Sequence, residues 1–230
     1  MHNTSRVEGE PYGNLLREKG FGGFPTMAYL DAEGEVLTSS MPRSVEGFQK
    51  VHGALGAEQA FAAKAKTGKL NPTDTAKWLL ARIDLGKVQL DAAQTEYASI
   101  ESKLSADLKK EIAPKLIDLE LAQVMSEANA AMRAQKPRDE VTAEVTAKLK
   151  AMLEAKKIPS DAAALNFWAQ LLQAGKRDGD EALETRAKTE LEALASRDPS
   201  KKAMVERMLN PPVRRESVPA AKIKQADGGK

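Results

Sequence analysis

Cysteine is absent from this chain of 230 residues, and that one absence removes three chemistries. The chain can carry no disulfide staple, no thiolate metal site and no dithiol exchange of its own. Histidine is nearly absent too, with only His2 and His52. Neither has a His, Asp or Glu at metal-ligand spacing, so no metal or general-base role is expected of them. There is no Gly-Lys-Ser/Thr phosphate loop, no dinucleotide fingerprint and no Gly-x-Ser-x-Gly elbow, so no cofactor is expected. No apolar run approaches the roughly 18 residues of a membrane span. The first residues lack the apolar core of a signal peptide, and the compartment is unspecified.

Charge of one sign is also scarce overall. Lys and Arg number 35 against 33 acidic residues, a net charge of +2. Residues 210–230 hold five basic and two acidic side chains, which leaves the remainder at about −1 by formal counting. A body so close to neutral argues against nucleic acid as a partner, because phosphate binding needs a clustered basic face.

Aromatics make up 4% of the chain, whereas apolar residues as a whole reach 42%. Ala, Leu, Lys and Glu dominate, and these favour helices. The exception lies near the start. Residues 10–19 carry Tyr12, Leu15 and Leu16 at helical spacing, with Gly20 placed as a stop. Then come Phe21-Gly22-Gly23-Phe24-Pro25-Thr26 and two short strand candidates, 27–30 and 36–41. Asp31-Ala32-Glu33-Gly34 between them fits a hairpin turn whose glycine takes positive φ. Val45, Phe48, Val51 and Leu55 follow on one helical face, with Gly53 and Gly56 loosening its end. Because Pro25 opens a strand rather than a helix, the glycines at 20–23 shape a turn and do not cradle phosphate.

This order (helix, Gly-Phe-Pro-Thr, apolar strand, Asp-x-x-Gly, second strand, helix) resembles the C-terminal half of a thioredoxin-like domain. The resemblance covers about residues 3–55. It implies a cis bond before Pro25 and places Phe24, Pro25 and Thr26 at a substrate-contacting wall, the backbone of Phe24 pairing with an extended segment. X-Pro bonds have a small enough trans preference for a tight turn to fix the cis form. The family's strand, helix and central strand bearing Cys-x-x-Cys are not in this sequence, which is read as a truncated form of a thiol-disulfide oxidoreductase-family protein. Without that central strand the hairpin has an unpaired edge, and self-association through it is expected. The alternative is a non-catalytic interaction module that uses its helices as the binding surface. Either way a protein or peptide is the expected partner.

From residue 57 onward the pattern is helical. Residues 57–67 read as an alanine-rich connector ending at Gly68, and Asn71-Pro72 as the start of the next helix. A helix over 91–111 follows, with Ala93, Tyr97, Ile100, Leu104 and Leu108 as one stripe and Pro114 as its end or kink. Helices at 115–134 (stripe Ile117, Leu121, Val124, Ala128, Met132), 140–156, 181–196 and from Asp198-Pro199 complete the series. Trp78, Phe167 and Trp168 read as core residues. The acidic pairs Asp139-Glu140 and Asp180-Glu181 sit where helix starts favour negative charge.

One internal match stands out. The stretch 78–87, ending Gly86-Lys87, aligns with 167–176, ending Gly175-Lys176. Each copy reads as an aromatic-led helix, a Gly-Lys turn and a second helix, which resembles a tetratricopeptide-type hairpin. Lys77 and Gln170 project from the first helix of each copy as candidate peptide contacts. The expected architecture is α+β and mostly α: a partial thioredoxin-like unit over 1–55, a helical domain over 57–209 and a disordered basic tail over 210–230.

Overall fold

Residues 14–21, 26–39 and 44–210 are described in the computed structural model. The chain divides into two compact units, Met1–Ala164 and Leu165–Lys230. It is mostly helical, with one small antiparallel sheet among the described residues. The expected boundary at 55–57 lies within the first unit.

The first unit starts with a single helical turn, α1 (Leu15–Glu18), then β1 (Tyr29–Leu30) and β2 (Val36–Thr38). Both strands are shorter than the apolar runs suggested. Asp31 closes the hairpin. Its carbonyl accepts from Gly34 N at 3.1 Å, and its Oδ1 accepts from the amides of Glu33 and Glu35 at 3.1 and 2.7 Å. Gly34 sits at φ +83°, open to glycine at no steric cost. Tyr29 pairs with Thr38 and Leu30 with Val36, which leaves Leu37 as the extra residue of a β-bulge.

Helix α2 (Val45–Lys66) is capped by Ser44, whose hydroxyl accepts from Gly47 N at 3.0 Å. It runs unbroken through Gly53 and Gly56, so the expected connector over 57–67 is its C-terminal half. No atom outside the helix backbone lies within 4 Å of a Cβ built at either glycine, so neither marks a break. Val51 and Leu55 form a small core with Leu85, and Tyr29, Leu37 and Ala54 pack against it. Thr38 is buried and its hydroxyl donates to Leu85 O at 3.0 Å. The hairpin is thus fixed to the turn after α3, not only to α2.

Helix α3 (Pro72–Asp84) is capped by Asn71, which accepts from Asp74 N at 2.8 Å. With α4 (Leu90–Ile100) and α5 (Ala106–Arg133) it encloses the larger core of Ala76, Leu79, Leu80, Val88, Ala93, Ile100, Leu104 and Ile112. The helix expected over 91–111 is two helices. A 3-10 turn at Glu101–Lys103 and extended backbone at Leu104 intervene, and Ser105 caps α5. The apolar stripe still meets one core, because the break turns the chain without changing which side chains face inward. Pro114 neither ends nor replaces that break. It lies inside α5, where Ile112, fully buried, and Leu116 hold the adjoining turns against the core. The stripe fades at Met132, which is exposed. Helix α6 (Arg138–Glu154) packs on α5.

Five helix ends share one device, Gly20 followed by Phe21 after α1 and four others that lead into a lysine. Of these four, Gly68, Gly86, Gln135 and Lys156 all take positive φ, between 57° and 67°. At each, the amide of that residue and the amide of the next turn back onto the last helical carbonyls, as with Gly86 N to Ile83 O and Lys87 N to Arg82 O. The lysines that follow them are Lys69, Lys87, Lys136 and Lys157. Three of these pair with a carboxylate on a helix: Lys87 with Glu58, Lys136 with Glu144 and Lys157 with Glu120.

Helix α7 (Asp161–Asp178) leads into the second unit, followed by α8 (Glu181–Arg197), a 3-10 turn at Pro199–Lys201 and α9 (Lys202–Leu209). Asp180 caps α8, accepting from Leu183 N at 3.0 Å. Gly175 is not a turn residue. It is interior to α7, and a Cβ there would meet Glu184 N at 2.8 Å, so glycine lets α8 approach closely. The turn glycine is Gly179, at φ +69°.

Candidate functional site

The residues expected to contact substrate fall only partly within view. Phe24 and Pro25 lie outside the described residues, and Thr26 is half-buried ahead of β1. What the structure builds here is a hairpin with unequal faces. Tyr29 and Leu37 turn to α2, whereas the paired Leu30 and Val36 are exposed at 40% and 37%. Among the described residues the sheet has only these two strands, so β1 has one edge without a partner strand. Lys19, after α1, bonds Glu35 at the start of β2 at 3.0 Å. His52 lies on the exposed side of α2 with its ring 6.4 Å from that of Tyr29.

Two polar clusters in the first unit were not singled out from sequence. Asp84, at the end of α3, receives Lys50 of α2 at 3.3 Å and Lys115 of α5. Burial opposes the charged form of Lys115, but the hydrogen bond and charge of Asp84, with Lys50 and Asp118 beside it, together hold the Lys115 pKa above the ordinary lysine value. Three helices thus meet at one carboxylate. Nearby in sequence, Asp118 accepts from the amide and hydroxyl of Ser160 at 2.8 and 2.6 Å. The second cluster is Arg82, stacked 4.3 Å over the Trp78 ring and paired with Glu96 of α4. Trp78 is half-buried, not enclosed like Phe167 and Trp168. These ion pairs join side chains of different helices. Among the described residues no group of three or more His, Asp or Glu is placed to hold a metal ion.

Lys77 is exposed on α3 in the first unit, and Gln170 is half-buried on α7 in the second. No helix among the described residues is long and apolar enough to cross a membrane.

One concavity among the described residues lies in the second unit. A groove of about 560 Å³ runs between α8 and α9, lined by Glu192, Ala195 and Ser196 on one side and Lys202, Val205, Glu206 and Leu209 on the other, with Pro199 and Asn210 at its ends. On α9 Val205 is the buried residue, and Met204 is 52% exposed. Positions 202, 205, 206 and 209 are spaced 3, 1 and 3, one face of a helix, which was the available signal. No family model, no curated protein and no solved structure matches the chain.

Proposed function

We propose that this chain is a protein-docking module built on the closing half of a thioredoxin-like domain, in which the free edge of β1 receives an extended segment of a partner. One observation carries the reading: the β1–turn–β2 hairpin is pinned by Tyr29, Leu37 and Thr38 to α2 and the end of α3, while the β1 edge has no strand beside it among the described residues. A two-stranded sheet is marginal by itself, and a third strand adds main-chain hydrogen bonds without new side-chain chemistry. By the resemblance, Phe24, Pro25 and Thr26 lead the partner segment onto that edge. Thiol-disulfide exchange in this setting needs cysteines outside residues 1–230, because a thiolate must attack.

Phe24-Pro25 is the one Phe-Pro pair in the sequence, so labelling Phe at the carbonyl carbon and Pro uniformly isolates it in an NMR spectrum. A proline Cβ–Cγ shift difference of the cis class is expected. A trans signature would overturn the thioredoxin-like part of the reading.

A further inference from the structure

We infer that the α8–α9 groove is the docking site for this chain's own residues 211–215, Pro-Pro-Val-Arg-Arg. The floor is apolar, formed by Ala195, Val205 and Leu209 with Pro199 at one end. Glu192 and Glu206 stand on opposite walls against the single base Lys202, and neither carboxylate has an ion-pair partner among the described residues. The groove is therefore an apolar slot whose rim carries two carboxylates against one ammonium. It calls for a short apolar segment flanked by positive charge.

That chemistry begins one residue past the groove. Asn210 lines it, and the sequence continues with Pro211, Pro212 and Val213, then Arg214 and Arg215. Residues 211–230 hold five basic and two acidic side chains, the complement of the rim. The reach is sufficient: α9 has eight residues, about 12 Å of helix, and five residues at polyproline extension span about 15 Å. Fixed φ at two successive prolines lowers the entropy lost on docking. Tethering supplies the remainder, since a segment joined directly to its site binds at a high effective concentration.

The absence of cysteine makes the test clean. The double variant Ala195→Cys with Val213→Cys, oxidised at low micromolar concentration, should form an intramolecular disulfide at least tenfold faster than Glu190→Cys with Val213→Cys. Residue 190 lies about 200° around α8 from Glu192. Adding Arg214→Glu and Arg215→Glu should remove the advantage. Equal rates, or an advantage indifferent to charge reversal, would overturn the inference, and so would disulfide-linked dimers, which assign the groove to a second copy. A nitroxide on Ser217→Cys leaves the groove intact. It should broaden the amide signals of residues 195, 205 and 209 and spare those of 181–187, and uniform or absent broadening would count against docking.

Discussion

Thr38 shows how one hydroxyl can decide where a hairpin sits. It is 5% exposed and donates to Leu85 O across 47 residues of sequence. Exchanging Thr38 for Val keeps the shape and removes the donor, which should cost about 1 kcal/mol. Amide exchange at residues 29–38 should accelerate more than exchange in α5; a uniform change would mean the bond does not hold the hairpin. The contact was invisible in the sequence, because nothing local tells a strand threonine which distant carbonyl it will meet. The turn residues Asp31 and Gly34 were legible, since their hydrogen bonds close within four residues. Trp78 lies between these cases: its apolar helical face was evident, but Arg82 over its ring depends on how α4 brings Glu96 alongside.

At the scale of elements, glycine divides into three uses that sequence alone merges. Gly86 takes positive φ, Gly175 admits a neighbouring backbone, and Gly53 and Gly56 do neither. Gly53→Ala and Gly56→Ala should therefore stabilise α2 by ~0.5–1 kcal/mol each. Gly175→Ala should destabilise by about 1–3 kcal/mol, because its Cβ would press on backbone of α8. Chemical denaturation of the three variants gives the order directly, and a destabilised Gly53→Ala would mean α2 does not run through that position. The same division explains why the 78–87 and 167–176 stretches match in letters but not in geometry. The lysine-bearing structural equivalents of Gly86-Lys87 are Gly68-Lys69, Gln135-Lys136 and Lys156-Lys157, two of which contain no glycine to signal the turn. Helix starts were easier to read, because Asn71 and Asp180 cap through their own side chains. Pro114 does not end its helix, because Ile112 and Leu116 hold the adjoining turns against the core despite the local penalty.

For the molecule as a whole, helical content and the hairpin followed from composition and periodicity, whereas the division at Ala164 and Leu165 did not. That division falls inside α7, and no glycine, proline or charge run marks it. The groove was equally hidden, since its walls are two helices joined through a 3-10 turn and its acidic rim emerges only when Glu192 and Glu206 face each other. The tryptophans fall on either side of the division, Trp78 in the first unit and Trp168, at 2% exposure, in the second. Nature has thus supplied one fluorophore per unit, and optical spectroscopy can follow each without any label. Emission from Trp78→Phe reports the second unit and emission from Trp168→Phe the first. The second unit has fewer residues, and small domains are the harder to stabilise, so its emission should shift at lower urea. Superimposable curves would instead show the two melting as one cooperative body.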